Sequence, residues 1–165
     1  MTDGSTTPIG QIRLPLTFGK RDNYRTELID FDVAHIRLPY NALGYPALAK
    51  FMVVTHHGYN VLKMPQSCGF IAVACEVNVA LPRLEATRLL RWSKCSITFS
   101  SSDQLKCEAT AGTLPMLCSP VISNVLVTKT LIDGGAGLNV LSVETFDRLL
   151  GPYDQMQHTK PFSGV

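Results

Sequence analysis

The chain has 165 residues, of which 45% are hydrophobic and 17% are charged, and its formal net charge is +2. This composition predicts a folded protein with a sizeable core and excludes a disordered chain. The lysines and arginines are scattered rather than clustered, which argues against nucleic-acid binding by this segment. The longest uncharged run, residues 109–128, is broken by Pro115 and Pro120, so we expect no membrane span.

The compartment and the cofactors are predicted from the N-terminus and the cysteines. The opening residues lack the basic start and the apolar middle of a secretory signal, so we expect an intracellular protein. The five cysteines include no C-x-x-C pair, and an odd number at wide spacing favours reduced thiols. A zinc site made of Cys68, Cys75, His56 and His57 would match no usual ligand spacing. We therefore expect no metal and no cofactor.

The N-terminal half of the chain is predicted to be mainly β. Residues 12–18 are apolar but contain Pro15, which predicts an edge strand. Residues 27–36 alternate between apolar and polar side chains, which predicts a half-buried strand. Residues 51–64 indicate a hairpin around a His-Gly turn, and residues 70–75 are apolar and strand-like.

Helical and irregular segments follow a different pattern. Residues 47–51 could form one helical turn, and residues 82–92 begin with a proline and carry a rough apolar stripe, which predicts a short amphipathic helix. Residues 93–120 are rich in Ser, Thr, Cys and Pro, so we interpret most of them as a linker with a strand at 96–99.

The C-terminal part returns to regular structure. Residues 121–132 alternate and then become apolar, which predicts a strand. Ser142 is suited to cap a helix over residues 143–150, and the Gly-Pro pair at 151–152 should end it. Three apolar side chains of that helix should face inward: Phe146, Leu149 and Leu150.

An aspartate at the end of an apolar strand suggests a specific chemistry. Asp133 is followed at once by Gly134 and Gly135, which permit a tight turn with unusual backbone angles. One carboxylate is a poor peptide hydrolase, but two that face each other can share a proton, so that one activates water and the other polarises the carbonyl. The alternative is an ordinary exposed Asp-Gly turn. Asp3-Gly4 follows no apolar strand, and we do not interpret it as catalytic.

Two stretches resemble one known family. LIDGGAGLNVLS, residues 131–142, resembles the active-site segment of the retropepsins, and most of all the protease region of plant gypsy-class retrotransposon polyproteins. Residues 8–65, with LPLTFG and YNALGYPAL, resemble the later half of the same domain. The resemblance implies a mainly β fold, a small closed barrel with one or two short helices.

The resemblance also implies an activity. It predicts an aspartic-type endopeptidase in which Asp133 is catalytic and Gly134, Gly135 and Ala136 form its turn. Because the family carries one such motif per chain, a homodimer would pair two copies of Asp133 at a two-fold axis. The substrate would be a peptide or polyprotein, and the protein would lie in the cytoplasm or in particles of the element.

The order of the segments differs from the family. Residues 1–75 resemble the later half of a protomer, residues 121–165 resemble the first half, and residues 76–120 would link them into one circularly permuted domain. The stretches TDGSTTPIGQ at 2–11 and KPFSGV at 160–165 would then form the flap over the substrate. Four flap residues are predicted to contact substrate: Thr2, Gly4, Phe162 and Gly164.

Two further differences bear on activity. Position 134 is glycine, whereas the family usually has a hydroxyl that hydrogen-bonds across the dimer. YNALG lacks the isoleucine of the family's YNAILG, and a deletion in a strand that should be central shifts the facing of its side chains. An alternative hypothesis is therefore a non-catalytic retropepsin-like β-module or a degenerate retrotransposon fragment. An unrelated β-rich binding protein is the third.

A second pair of carboxylates deserves mention. Asp30 and Asp32 lie on the polar face of the predicted strand 27–36. We interpret them as a solvated face, and they would form an acid–base pair only if a cleft covered them.

Overall fold

The computed structural model describes residues 5–36, 41–67, 69–75, 97–103 and 115–163. The chain is mainly β with two short α-helices, as the sequence predicted. The helices are α1 (Tyr45–Phe51) and α2 (Val143–Arg148). The strands are β1 (Ser5–Thr6), β2 (Gly10–Lys20), β3 (Asn23–Ala34), β4 (Asn41–Leu43), β5 (Val54–His56), β6 (Val61–Gln66), β7 (Gly69–Ala74), β8 (Met116–Cys118), β9 (Val121–Ile122), β10 (Val125–Leu126), β11 (Thr130–Ile132), β12 (Val140–Ser142) and β13 (Phe162–Ser163).

Eight strands form one curled sheet in the order β10-β9-β2-β3-β12-β4-β11-β8. This sheet is a half-barrel that does not close, so the predicted closed barrel is wrong. Closure requires the first and last strands to pair in a fixed stagger. Here those strands, β10 and β8, have only two and three residues, which offer few backbone groups for such pairing.

Strands from the two ends of the chain alternate in the middle of the large sheet. β11 runs parallel to β4, β4 runs antiparallel to β12, and β12 runs parallel to β3. The strand containing YNALG, β4, is therefore central, as predicted, and its three residues Asn41, Ala42 and Leu43 are all buried. The two segments share one sheet.

Three local strand predictions are confirmed. Residues 27–36 contribute to β3, residues 70–75 contribute to β7, and the hairpin around residues 57–58 is the β5–β6 pair. β5, β6 and β7 make a separate three-stranded sheet. Alternation and turn residues predicted these elements because they depend on neighbours in sequence.

The long β2–β3 hairpin is the framework of the large sheet. Its register pairs Gly10 with Val33 at one end and Lys20 with Asn23 at the turn. Side chains on one face of both strands are buried because successive residues point to opposite faces. That face consists of Ile12, Leu14, Leu16, Phe18, Ile29, Phe31 and Val33.

The edge position predicted for β2 is wrong. β2 pairs with β3 on one side and with β9 on the other. Pro15 is tolerated because it lies just beyond Leu16 and Thr17, the two residues paired with β9, and its carbonyl accepts a hydrogen bond from the Ser123 amide at 3.0 Å. The missing proline N–H therefore falls at the end of the ladder.

The helix predicted after Ser142 is confirmed as α2. The Ser142 hydroxyl accepts a hydrogen bond from the amide three residues later at 3.1 Å, the usual N-terminal cap. Phe146 and Leu149 are buried as predicted, but Leu150 is 90% exposed. The regular helix ends before Leu149, and Leu150 has a φ of 52°, so its side chain turns away from the core.

The first helix is longer than the single turn predicted. Pro46 lies in the first turn of α1, where the backbone N–H would have no partner within the helix. The helix ends at Met52, which adopts a left-handed φ of 52°. Three of its side chains are buried: Ala47, Leu48 and Phe51.

The linker interpretation of residues 76–120 omitted a strand of the large sheet. β8 pairs antiparallel with β11, and Met116 and Cys118 are buried in the core. The flanking Pro115 and Pro120 conceal this three-residue strand in the sequence. The helix predicted over 82–92 lies outside the described residues.

Residues 97–103 pack on the small sheet through a buried lysine. The ammonium of Lys63 donates to the Thr98 carbonyl at 2.7 Å and pairs with the Asp103 carboxylate at 2.8 Å. The same ammonium lies 4.6 Å from the ring centre of Phe70 and 4.9 Å from that of Phe99. These contacts compensate the desolvation of a side chain that is only 3% exposed. Of the strand predicted at 96–99, Ile97 forms an isolated bridge and residues 98–99 are irregular, while residue 96 lies outside the described ranges.

Arg25 connects the hairpin to α1. Its guanidinium donates to the carbonyls of Lys50 at 2.9 Å and Phe51 at 3.1 Å, the last residues of the helix, and to that of Pro65 at 3.3 Å. It also pairs with Glu27 at 2.6 Å. Cationic donors at a helix C-terminus satisfy carbonyls that the helix itself leaves open.

We expect the substitution Arg25→Met to lower the free energy of unfolding by about 2 kcal/mol, because it removes charge-assisted hydrogen bonds while keeping much of the apolar stem. Chemical denaturation measures this change. Arg21→Met, at the exposed hairpin turn, is the matched control and should change stability by less than about 0.5 kcal/mol. Equal effects of the two substitutions would contradict the role assigned to Arg25.

Candidate active site around Asp133

Asp133 lies directly after the C-terminal end of β11, where the chain leaves the sheet. Its side chain is exposed, as are Gly134 and Gly135, while Ile132 before it is buried. The Asp133 amide donates to the Leu43 carbonyl of β4 at 3.0 Å. The parallel β4–β11 pairing thus fixes the backbone of an exposed carboxylate.

The turn after Asp133 holds that carboxylate by its own amides. Gly135 N donates to Oδ1 of Asp133 at 2.9 Å, and Ala136 N donates to the same oxygen at 3.2 Å. Oδ1 is therefore oriented by two N–H groups of the following residues. Gly134 and Gly135 lie in a turn, and the Ala136 amide also donates to the Asp133 carbonyl at 3.3 Å.

The backbone angles predicted for the two glycines are absent. Neither Gly134 nor Gly135 has a φ in the left-handed region. A Cβ placed on Gly134 would meet no atom within 4 Å. The turn at Asp133 is therefore made by amide hydrogen bonds rather than by glycine-only angles, and position 134 has space for a side chain.

The turn is held in place by Asn139, for which no role was predicted from the sequence, and by the first residue of α1. Asn139 is 2% exposed; its Oδ1 accepts from the Gly44 amide at 3.0 Å and its Nδ2 donates to the Asp30 carbonyl at 2.9 Å. The Ala136 carbonyl accepts from the Tyr45 amide at 2.8 Å. The turn is thus fastened to the start of α1.

Gly44 allows this close approach. A Cβ at Gly44 would lie 2.1 Å from the Leu138 carbonyl oxygen and 2.5 Å from that of Ala136. Only glycine fits between β4 and the segment that follows Asp133. The sequence signal was the glycine directly before the Tyr-Pro start of α1.

A cavity of about 390 Å³ opens beside the Asp133 turn. Gly134 and Ile132 line one side of it. The other side is formed by one face of α1 and the strand that follows: Tyr45, Leu48, Ala49, Met52, Val53, Thr55 and His57. Tyr45 is 63% exposed at its rim. The site is therefore flanked by a mostly apolar concave surface.

Of the four predicted flap residues, one is described. Phe162 lies in β13, which pairs antiparallel with β1 through Ser5–Ser163 and Thr6–Phe162. Thr2, Gly4 and Gly164 lie outside the described residues. The two stretches predicted to form the flap therefore meet in a two-stranded sheet.

The described histidines and cysteines are candidate metal ligands by residue type. Within the described residues, no group of three or more His, Cys, Asp or Glu side chains is arranged to hold a metal ion. His56 is buried and stacks on Tyr59 with ring centres 4.0 Å apart, and burial lowers the pKa of its imidazole. Burial raises the pKa of the Cys75 thiol to about 12, which keeps it protonated. Cys68 lies outside the described ranges.

The fold is thus a mainly β, curled half-barrel with an exposed aspartate fixed at the end of β11, which pairs with the central strand β4. Comparison with protein-family models, with curated proteins and with solved structures found no match. In the part of the chain that the structure describes, no helix is long and apolar enough to cross a membrane.

Proposed function

We propose that this chain is an aspartic-type endopeptidase of the retropepsin kind, derived from a retrotransposon polyprotein, and that it acts as a homodimer. The observation that carries the proposal is the geometry of Asp133. Its carboxylate is exposed, its Oδ1 accepts two backbone N–H groups, and its backbone is fixed to the central strand β4. The resemblance of residues 131–142 and 8–65 to the retropepsins supports the same assignment.

The chemistry requires two such carboxylates with one proton between them. The ionised Asp133 removes a proton from a water molecule, whose oxygen attacks the carbonyl carbon of the peptide bond. The protonated Asp133 of the second copy donates to the carbonyl oxygen. Collapse of the tetrahedral intermediate breaks the C–N bond. The amine takes the proton that the first Asp133 removed from water, and the second Asp133 regains a proton from a hydroxyl of the intermediate. No metal or cofactor takes part.

The second copy would dock beside Gly134. A single chain presents one Asp133, and the concave surface next to its turn is mostly apolar, with Tyr45 63% exposed at the rim. Burial of such a surface is the main favourable term in dimer formation. A two-fold axis near Gly134 would bring the two turns together, because an isologous interface places the same residues of each copy opposite one another.

The paired strands β1 and β13 are the proposed flap. Phe162 is the described apolar residue on this pair, and an extended peptide substrate would lie between it and Asp133. Closure over the peptide would exclude water from the reacting carbonyl. This flap consists of two separate stretches of chain rather than one continuous hairpin.

One observation favours the alternative, a retropepsin-like β-module without catalysis. Gly134 carries no hydroxyl, so it cannot form a side-chain hydrogen bond across the dimer. The space around Gly134 shows that a side chain is sterically possible but missing. Such a module would retain the fold and lack a functional pair of aspartates.

The oligomeric state tests the proposal. We expect sedimentation to give twice the 18.1 kDa mass of the chain, and peptidase activity per chain to fall on dilution. Tyr45→Asp, at the rim of the proposed interface, should yield an inactive monomer. Tyr24→Asp is the matched control, since Tyr24 is 56% exposed at the hairpin turn, and it should behave as the wild type. Peptidase activity from a monomer would refute the homodimer.

A further inference from the structure

A second cavity, of about 280 Å³, lies beside the segment that follows Asp133. It is lined by residues of β2, β3 and α1 and by residues 137–139. Asp30 and Asp32 both line it. The Asp30 side chain is 45% exposed, as expected for a solvated face, whereas Asp32 is only 6% exposed. Only Asp32 therefore departs from the predicted solvated face.

Asp30 and Asp32 do not form an acid–base pair. Both oxygens of Asp30 accept from the Arg13 guanidinium, at 2.7 and 2.9 Å. The hydrogen bond from Arg13 holds the pKa of the Asp30 carboxyl below its ordinary value, and the charge of Lys50 acts in the same direction. A carboxylate fixed in the ionised state cannot exchange a proton with its neighbour.

Asp32 differs from Asp30 in its environment. It is only 6% exposed, and within the described residues it forms no ion pair. Its one side-chain hydrogen bond comes from Gln11 Nε2 at a long 3.3 Å. A carboxylate removed from water is costly unless a donor or cation compensates it. The Asp32 carboxylate can therefore accept further hydrogen bonds from a ligand in the cavity.

The nearest cation belonging to the cavity wall is engaged elsewhere. Lys50 lines the cavity, and its ammonium donates to the Leu28 carbonyl. The charge of Lys50 therefore weakens the negative potential of the cavity, but Lys50 does not form an ion pair with Asp32. The apolar parts of Leu28, Pro46 and Leu138 form the remaining wall. The site combines a buried carboxylate with an apolar lining.

We propose that this cavity binds an alkylammonium or alkylguanidinium group, with the cationic head on Asp32 and the apolar stem along Leu28, Pro46 and Leu138. A volume of about 280 Å³ equals roughly nine waters at about 30 Å³ each, which suits a side-chain-sized ligand. A bare divalent ion would need about six oxygen ligands, and Asp30 is already taken by Arg13. Charge-assisted hydrogen bonds to Asp32 would supply the specificity.

Two sources share this chemistry: a basic residue of a bound peptide and a free small amine. Residues 137–139 of the wall continue directly from the Asp133 turn, so a peptide near that turn could reach the cavity. The binding does not require catalysis. It is therefore tested on Asp133→Asn protein, so that failure of this inference and failure of the proposed peptidase activity are separate results.

Titration calorimetry with three probes tests the inference: agmatine, N-acetyl-arginine amide and N-acetyl-citrulline amide. We expect the two cations to bind and the neutral citrulline analogue to bind at least about tenfold more weakly. Asp32→Asn should weaken cation binding by about tenfold, and Lys50→Met should strengthen it. Asp154→Asn, an exposed acid, is the control and should have no effect.

A second variant guards against loss of folding in Asp32→Asn. Gly137 lines the cavity, and a Cβ there would meet no atom within 4 Å, so a side chain can begin at this position. We expect Gly137→Leu to narrow the cavity and weaken binding. Stronger binding of the arginine amide than of agmatine would identify the ligand as a peptide side chain. Stronger binding of agmatine would identify it as a free amine. Both results support a site for an alkylated cation. Absence of cation binding, equal binding of the citrulline analogue, or binding unchanged by both Asp32→Asn and Gly137→Leu would overturn the inference.

Discussion

The substitution Gly44→Ala should lower the free energy of unfolding by about 3 kcal/mol or more. The added Cβ would lie 2.1 Å from the Leu138 carbonyl oxygen and 2.5 Å from that of Ala136, and both are backbone atoms that cannot rotate away. Relief would require the segment after Asp133 to move off α1. That movement would also break the hydrogen bond from the Gly44 amide to Asn139. Thermal or chemical denaturation measures the loss.

Gly134→Ala is the matched control, because a Cβ at Gly134 meets nothing within 4 Å. We expect it to change stability by less than about 0.5 kcal/mol. Gly134→Ser should be tolerated equally and, under the proposed function, should strengthen the dimer by supplying the missing hydroxyl. If Gly44→Ala and Gly134→Ala were equally mild, the packing of the Asp133 turn against α1 would be wrong.

The substitution Asp133→Asn should reduce peptidase turnover by about a thousandfold or more while leaving the fold intact. Asparagine keeps the shape of the side chain, and its Oδ1 can still accept from the amides of Gly135 and Ala136. It cannot become the ionised partner that removes a proton from water. Turnover of a mixed peptide library at mildly acidic pH, where a shared proton is retained, measures the effect.

Two controls make the Asp133→Asn result decisive. The melting temperature of the variant should match that of the wild type, since the carboxylate is exposed. Asp154→Asn, another exposed carboxylate in the described part of the chain, should leave turnover unchanged. Equal activity of wild type and Asp133→Asn would exclude aspartic catalysis at this site and favour the non-catalytic module.

Local elements could be predicted from the sequence because their determinants lie within a few residues. Alternation over residues 27–36 predicted β3, and Ser142 before an apolar stripe predicted α2. A strand that ends directly before Asp133 was predicted in the same way, but residues 121–132 form the three short strands β9, β10 and β11 rather than one strand. Each of these predictions needed only the side-chain period and one capping or turn residue.

The arrangement of the large sheet could not be predicted in this way. Its central pairs, β4 with β11 and β3 with β12, join residues about a hundred positions apart. Whether the sheet closes depends on the stagger and length of its edge strands, and β8 and β10 are too short for a side-chain period to show. The predictions of a closed barrel and of an edge position for β2 were wrong for this reason.

The support of the Asp133 turn was missed for a related reason. Asn139 lies between Leu138 and Val140, where an asparagine gives no local signal. Its side-chain amide nevertheless forms hydrogen bonds with the backbone of both Gly44 and Asp30. The need for glycine at position 44 arises from backbone oxygens almost a hundred residues away. In contrast, the glycines that follow Asp133 attracted attention although Gly134 lies in open space.

The most direct test of the central claim is a mixing experiment with wild-type and Asp133→Asn chains. If the active site contains Asp133 from both copies, only pairs of wild-type chains are active, so an equimolar mixture that has exchanged subunits should retain about one quarter of the activity of the same total amount of wild type. Retention of about one half would mean that each chain works alone, and it would contradict a shared pair of aspartates.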